Sequence, residues 1–254
     1  MIERATRQRW GPVRDELRRW EESARAARLW LRDDDAVTVT PHLVRLADLC
    51  AAHGIPFLIA AIPSLAGADL AAFLAEQALA EVAAHGWSHH DHAIDGRKQE
   101  FPPHRPRSEI LHELGLARTR TEALFSAMAV PIYVPPWNRI APEIAALLPD
   151  AGFKTLSAFG RAPLPSLPAP MRQLNTHLDT IDWRGTRGGR DGQALVTELA
   201  NHLAWARENG EPAIGILTHH LVHDEIAWQF LAELFAETGS HAAVRWCRPS
   251  ALIS

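Results

Sequence analysis

The chain has 254 residues, of which 47% are hydrophobic and 22% are charged. This is the composition of an ordinary globular protein, and it excludes a disordered, collagen-like or coiled-coil chain. The 26 basic and 30 acidic residues give a formal net charge of -4, so we expect neither nucleic acid nor a membrane surface as a partner. Cys50 and Cys247 are expected to be reduced and buried, because nothing else in the sequence indicates secretion.

No segment of the sequence has the pattern of a signal peptide or a transmembrane helix. The first seven residues are charged and lack the apolar region of a signal peptide. The longest apolar stretch, residues 55–65, is too short to span a bilayer and contains Pro56 and Pro63. We therefore expect a cytoplasmic protein.

Hydrophobic periodicity predicts helices and strands that alternate along the whole chain. The first predicted helix, residues 1–26, has an apolar face formed by Trp10, Val13, Leu17 and Trp20. Strands are predicted at residues 27–32, 55–62, 79–84, 131–134, 153–158, 172–176, 213–217 and 243–246. Helices are predicted at residues 41–52, 69–77, 108–128, 141–148, 192–209 and 225–237. Two long irregular connections are predicted, at residues 91–106 and 163–170.

This alternation predicts a parallel α/β sheet covered by helices. About seven strand–helix units favour a distorted or incomplete (β/α) barrel over a flat doubly wound sheet. No linker divides the chain, so we expect one domain over residues 1–254, with residues 1–26 as an N-terminal helical extension. Trp10 and Trp20 could pack on the barrel or on a second subunit, which leaves a homo-oligomer open.

Polar residues follow the predicted strands at the points where the strands end. These segments are residues 33–35, 85–92, 135–139, 179–183 and 218–220. In a parallel barrel the carboxyl ends of the strands share one mouth, where such folds build their active sites. Histidines scattered over a surface would not follow strand ends in this way.

His85 and His89 would face a common point if the segment between them turned helically, which is a common way to hold a metal. A solvated polar loop is the alternative, and the spacing of His90 and His92 makes these two residues weaker ligand candidates. The acidic triplet 33–35 could supply both a carboxylate ligand and a base that deprotonates the attacking water. A helix N-cap would account for only one of the three aspartates.

A histidine that follows the strand at residues 213–217 suits a general acid. His219, His220 and His223 all qualify, and the residues alone leave the choice open. Trp137 and Trp183 lie beside the same mouth, where tryptophan either fills the core or stacks on a sugar face.

Taken in chain order, these segments resemble the five motifs of the polysaccharide deacetylase (NodB homology) family, carbohydrate esterase family 4. Residues 32–36 occupy the place of the first motif, Thr-Phe-Asp-Asp-Gly, and residues 85–89 that of the second, His-Ser/Thr-x-x-His. Residues 134–138 resemble the third, Arg-Pro-Pro-Tyr-Gly. The fourth, Asp-x-x-Asp-Trp, and the fifth, Leu-x-His, are met in full by residues 179–183 and 217–219. The resemblance implies a distorted (β/α) barrel.

The resemblance also implies a divalent metal, usually zinc, with cobalt, nickel and manganese as alternatives. Its ligands would be Asp35, His85 and His89. Asp34 would be the general base, with Asp33 as a rival if the register differs by one residue.

The remaining motifs imply the substrate side of the site. His219 would protonate the leaving amine, and the backbone N–H of Trp137, after Pro136, would hold the oxyanion together with the metal. Trp183 would line the acyl pocket, beside Asp179 of the same motif.

The sequence departs from the family pattern at several positions. The family's third-motif arginine, which pairs with the fourth-motif aspartate to tune the base, is replaced by Val134. We hypothesise that Arg139 or Arg32 takes its place, which requires a guanidinium close to Asp34 or Asp179. Gly86, Ala36 and Asn138 also depart from the family motifs. His177 has no role in the family pattern.

These residues predict a metal-dependent hydrolase of non-peptide amide bonds, foremost an N-deacetylase of a sugar-like or small N-acyl substrate. The substrate could be a small molecule or an oligosaccharide. One alternative keeps the chemistry but cleaves a cyclic amide or an ester. The other is a degenerate member that binds a metal or a carbohydrate without turnover.

Overall fold

The computed structural model describes residues 8–162, 167–210 and 212–253. The start of the first predicted helix (residues 1–7) and part of the predicted proline-rich connection (residues 163–166) lie outside these ranges. The strands are β1 (Ala27–Ala36), β2 (Phe57–Ala61), β3 (Ala80–His85), β4 (Ala129–Val134), β5 (Thr155–Leu156), β6 (Arg172–Gln173), β7 (Leu178–Asp179), β8 (Ile214–Thr218) and β9 (Val244–Trp246). The helices are α1 (Gly11–Glu22), α2 (Pro41–His53), α3 (Ala68–Ala75), α4 (Arg107–Phe125), α5 (Pro142–Ala145), α6 (Gly192–Glu208), α7 (Glu225–Thr238) and α8 (Pro249–Ile253).

The strands form one curled sheet in the order β6-β5-β4-β3-β2-β1-β8-β7, and β9 pairs with the start of β1. Every strand pairing is parallel. Residues 172–180 connect the two ends of the sheet, because Leu174 N–H donates to Leu156 and His177 N–H donates to Gly215. The predicted distorted (β/α) barrel is confirmed, with eight strands along the sheet rather than about seven.

The central strand β1 continues through the acidic triplet, so the prediction that it ends at residue 32 was wrong. Backbone pairing extends along both sides of β1, to β8 as far as Asp33 and to β2 as far as Ala36. A bulge interrupts the second pairing at Asp35, whose φ is 74°. The pattern of apolar residues could not predict the true end of β1. The charged residues near that end are held in the sheet by hydrogen bonds from two neighbouring strands.

Side chains alternate between the two faces of β1, as the pleat of a strand requires. Leu29 and Leu31 belong to the apolar core between the sheet and its covering helices. Trp30 packs instead with Leu58 and Ile132 in the barrel interior. The same alternation separates the acidic residues that follow along the strand.

Helix α1 packs on the barrel of its own chain. The Trp10 ring stacks on Phe230 of α7 at a centroid distance of 5.9 Å, and Trp20 Nε1 donates to Leu203 O of α6 at 3.2 Å. Both indoles are fully buried, which decides between the two packing partners considered from the sequence. The free, buried state predicted for both cysteines is confirmed.

The sheet is irregular beyond β4, where two predicted strands shrink to two residues each. The side chain of Asn175 bonds to backbone there, accepting from Ala158 N–H and donating to Gly160 O. The short strand β7 and helix α8 were not predicted, because runs of two and five residues show no measurable periodicity. Within the described ranges, no helix is both long enough and apolar enough to cross a membrane.

His177, which had no role from the motifs, joins β7 to β8. Its Nδ1 accepts the backbone N–H of Gly215 at 3.0 Å, and this bond requires that nitrogen to be unprotonated. Burial, together with the charges of His202 and Arg161, lowers the pKa of His177 to about 4. His177 is therefore a neutral structural residue at neutral pH.

Candidate active site

A cleft of about 460 Å³ opens at the carboxyl ends of the strands. It brings together most of the residues that the sequence placed at the barrel mouth. Those that line it are Asp34, Asp35, His85, His89, Trp137, Arg139, Asp179, Trp183 and His219. Two further predicted residues, Pro136 and Arg32, are buried and do not line the cleft.

Asp35, His85 and His89 present one nitrogen or oxygen atom each, all within 4.8 Å of one another. His85 Nδ1 lies 3.1 Å from the carbonyl oxygen of Val134, which can only accept, so Nδ1 carries the proton. In the neutral ring Nε2 then points its lone pair at Asp35 Oδ1, 3.1 Å away. His89 Nε2 lies 3.3 Å from the same oxygen. Lone pairs directed at one another need a cation or a proton between them, so this donor set fits a divalent metal.

The electrostatics of Asp35 and His89 agree with this arrangement. Burial by itself lowers the pKa of His85, but the neighbouring Asp34 and Asp35 carboxylates raise it above its usual value. Burial by itself raises the pKa of Asp35, but the His85 hydrogen bond and the nearby histidine charges lower it below its usual range. Burial and the His85 charge lower the pKa of His89 to about 4. Asp35 is thus ionised and His89 neutral at pH 7, which are the forms that bind a metal.

The segment between the two histidines does not turn helically, and the two rings reach a common point through another backbone conformation. Gly86 and His89 both have left-handed backbone conformations, with φ of 62° and 58°. A Cβ at position 86 would lie 1.9 Å from Glu100 Oε2 and 2.6 Å from Pro136 Cγ. Glycine is therefore required at position 86, where the Pro136 ring packs against the turn.

The carboxylate of Asp34 is bound by the guanidinium of Arg32. Arg32 Nε lies 2.9 Å from Oδ1, and a terminal nitrogen donates to Oδ2 at 3.0 Å. Both side chains are essentially inaccessible to solvent. Burial of an isolated carboxylate is costly, and the contact with the Arg32 guanidinium offsets that cost for Asp34.

His219 stands opposite this carboxylate across the cleft. Its Nε2 lies 3.9 Å from Asp34 Oδ2, and its ring meets that of Trp183 edge-on at 4.7 Å. Asp179 holds Trp183 in place by accepting from its Nε1 at 2.9 Å. Burial raises the pKa of Asp179, although the His219 charge opposes this shift.

Trp137 forms the wall beside the metal ligands. Its backbone is left-handed, with φ of 54°, and its ring packs on that of His89 at 4.5 Å. Trp137 and Trp183 therefore contribute one aromatic ring on the metal side of the cleft and one on the His219 side.

No protein-family model matches the sequence, and no curated protein matches it. Solved structures match the fold. A protein from Mycobacterium smegmatis assigned to the polysaccharide deacetylases superimposes with a TM-score of 0.66 at 15% identity, covering 90% of each chain. A family 4 acetyl xylan esterase from Clostridium thermocellum, in complex with a cobalt ion, gives 0.55 at 13% identity and covers 89% of each chain. A mutant of a CE4 family pseudoenzyme, with restored enzymatic activity, gives 0.59 at 14%, covering 90% of this chain and 68% of its own.

The chain has the polysaccharide deacetylase fold. The resemblance drawn from the five motifs is confirmed at this level. Within that fold, each of the five motif segments lies at the mouth where the sequence placed it, and the departures at Gly86 and Asn138 have physical explanations.

The two arginines that the sequence offers in place of the third-motif arginine, Arg32 and Arg139, have different partners. Of the two candidates, Arg32 binds Asp34, whereas the guanidinium of Arg139 donates to Lys98 O at 3.1 Å. Arg32 also donates to Asn138 Oδ1 at 2.5 Å. Asn138 has φ of 55°, a conformation that asparagine tolerates better than most residues, so it keeps the turn while holding the arginine.

Asp33 points to the opposite face of β1, away from the cleft of the deacetylase fold. Its carboxylate accepts from the backbone N–H of His220 at 2.8 Å and contacts His220 Nδ1 at 2.5 Å. His223 is hydrogen-bonded to Thr218. Of the three histidines that the sequence left open as general acid, His219 alone lines the cleft.

Glu100 is a residue of this site that sequence reasoning missed. It lies in the connection before α4, and its buried carboxylate accepts the backbone N–H groups of Trp87, Ser88 and His89 at 3.1, 2.6 and 2.9 Å. It therefore holds the turn that carries a metal-ligand candidate. One acidic residue in a polar segment gave no signal that could have revealed this.

Glu100→Gln is expected to weaken zinc binding about 10–100-fold, the range typical of residues that orient metal ligands. The glutamine side chain keeps one acceptor oxygen. Its NH₂ group, however, would face a backbone N–H that the carboxylate accepts in the wild-type protein. Zinc affinity measured against a competing chelator checks this. Glu109→Gln, at a side chain that is 60% exposed on α4, should leave the affinity unchanged. Equal affinities in the two variants would contradict the positioning role.

Proposed function

We propose that the protein is a metal-dependent hydrolase of non-peptide amide bonds that acts as an N-deacetylase. The observation that carries this is one cleft in which a metal-ligand triad, an arginine-bound carboxylate and a histidine converge. These residues come from the ends of β1, β3 and β8 and from the turn after β3, and catalytic residues from several strand ends are usual at the mouth of a parallel barrel.

Asp35, His85 and His89 would hold the metal. Two nitrogens and one carboxylate oxygen are a ligand set that suits zinc and leaves coordination positions open for chemistry, with cobalt, nickel and manganese as alternatives. When bound, the metal supplies Lewis-acid polarisation of a carbonyl and makes water acidic enough to attack it.

The other residues would move protons and bind the reacting group. Asp34, held by Arg32, accepts the proton of the attacking water. His219 then gives a proton to the nitrogen of the leaving amine, so that an acid and an amine are released. The distance of 3.9 Å between Asp34 Oδ2 and His219 Nε2 supports these paired roles. The backbone N–H of Trp137 would stabilise the oxyanion, a contribution commonly worth several kcal/mol.

Two alternatives have a counterpart among the structural relatives. Ester cleavage is the activity in the name of the Clostridium protein, an acetyl xylan esterase, and a non-catalytic protein is represented by the CE4 pseudoenzyme. Against the second, Asp34, Asp35, His85, His89 and His219 are all present and share one cleft. The aromatic walls favour a sugar ring as the substrate, either as a small N-acyl compound or in an oligosaccharide.

Metal content is the first test of this function. Elemental analysis of the purified protein is expected to find about one zinc-like ion per chain. The Asp35→Ala, His85→Ala double variant should lose the ion. The His90→Ala, His92→Ala double variant removes two nearby histidines that do not line the cleft, so it should retain the ion.

A substrate panel then separates the alternatives. Acetylated amines, acetyl esters and cyclic amides are offered to the metal-loaded protein, and hydrolysis of the acetylated amines is the expected outcome. Preference for esters would support the first alternative, and metal binding without any turnover would support the second. Absence of metal even after incubation with zinc or cobalt would overturn the hydrolase function.

A further inference from the structure

Three arginines, Arg139, Arg184 and Arg187, line the cleft around the candidate catalytic residues. None of them belongs to a family motif position that carries a role. Arg139 follows the turn after β4, whereas the other two lie in the turn that follows β7. Positive side chains thus enter the cleft from two directions.

The turn that carries Arg184 and Arg187 is an ordered structure. The carboxylate of Asp182 accepts the backbone N–H groups of residues 184–186, and Asp182 O accepts Arg187 N–H at 2.9 Å. Because the Asp182 carboxylate is hydrogen-bonded to the backbone, it pairs with neither the Arg184 nor the Arg187 guanidinium. Both side chains are exposed, and neither has an ion-pair or hydrogen-bond partner among the residues that the structure describes.

The charges in the cleft do not cancel. Three aspartates, Asp34, Asp35 and Asp179, face the three arginines, but Asp34 is already neutralised by the buried Arg32. The cleft therefore carries an excess of positive charge even before a divalent cation binds, although the whole chain has a formal charge of -4. Guanidinium groups bind carboxylate and phosphate oxygens through paired hydrogen bonds.

We propose that the substrate is an anionic N-acyl sugar, whose carboxylate or phosphate is bound by Arg184 and Arg187 while its ring packs between Trp137 and Trp183. This inference rests on the proposed function, because it assigns the substrate class of the same cleft. The anionic group lies at the mouth, where the two arginines are exposed, and the acyl group points toward the triad.

Calorimetric binding to the full-length chain tests the proposal. The metal is removed first, so that the anion cannot bind through it and the sugar is not consumed. The probes are N-acetylglucosamine, N-acetylglucosamine 6-phosphate and N-acetylmuramic acid, which share an N-acetyl group. The first is neutral, the second carries a phosphate and the third carries a carboxylate. At least one anionic sugar is expected to bind about tenfold or more tightly than the neutral one.

The Arg184→Gln, Arg187→Gln double variant should abolish this preference. The Arg107→Gln, Arg245→Gln double variant removes the same charge from exposed positions outside the cleft and should keep it. Comparison of the two anionic probes shows whether phosphate or carboxylate is preferred. Three results would overturn the proposal. They are equal binding of all three sugars, no binding of either anionic sugar, and an unchanged preference in the Arg184→Gln, Arg187→Gln variant.

The outcomes also separate this proposal from the proposed function. Hydrolysis of neutral and anionic N-acetyl sugars at equal kcat/KM would sustain the deacetylase and overturn the anionic preference. Arginine-dependent binding of an anionic sugar that the metal-loaded protein does not hydrolyse would sustain the recognition site and count against the deacetylase.

Discussion

Asp34→Asn is expected to reduce kcat by about 10²–10⁴-fold, the contribution typical of a general base, while the protein still binds its metal. The amide cannot accept the proton of the attacking water, whereas the three candidate ligands are unchanged. Steady-state kinetics on an acetylated amine, with metal content measured on the same sample, checks both halves of the result. A wild-type rate in this variant would show that another group is the base.

Asp33→Asn is the matched control, because the same substitution is made one residue away on the opposite face of β1. Asp33 contacts His220 and not the cleft, so kcat should stay within a fewfold of wild type while the stability falls. Loss of activity in Asp33→Asn with full activity in Asp34→Asn would reverse the assignment of the two aspartates.

Arg32→Gln is expected to destabilise the protein and to lower kcat. Removing one partner of a buried ion pair costs about 3–5 kcal/mol of unfolding free energy. Without the guanidinium, the Asp34 carboxylate loses the hydrogen bond that orients it in the cleft, so catalysis slows. Urea unfolding and steady-state kinetics measure the two effects.

Arg32→Lys distinguishes charge from geometry at this position. Lysine keeps the positive charge but cannot contact Asp34, Asn138 and Ser157 at once, as the guanidinium does. Stability should therefore fall less than in Arg32→Gln, while kcat still falls. An Arg32→Gln variant that is destabilised but keeps the wild-type kcat would show that Arg32 has only a structural role.

Much of the architecture could be predicted because parallel strands and their covering helices leave strong patterns. Buried strands such as β2 and β8 are short apolar runs, and helices such as α2 and α6 begin and end near the residues expected from their periodicity. The segments that follow strand ends therefore meet at one mouth whatever the details of packing. This is why a set of residues scattered over nearly the whole chain could be predicted as one site.

Local backbone conformation was less predictable. A helical turn was one way for His85 and His89 to converge, but the left-handed residues of the actual turn depend on Glu100 and Pro136, which lie 14 and 50 positions beyond Gly86. Such a turn is determined by what fills the space beside it, and periodicity carries no information about that space.

The sequence by itself determined the alternation of most strands and helices, the mouth at which the motif segments meet and, through the resemblance of its motifs, the candidate metal ligands. The tertiary structure decided which of two adjacent aspartates faces the barrel interior, since a strand alternates its side chains but does not say which face is covered. It also decided that Arg32, and not Arg139, binds Asp34. That choice depends on Ser157 and Asn138, which are 125 and 106 residues away in the chain and meet Arg32 only when the barrel closes.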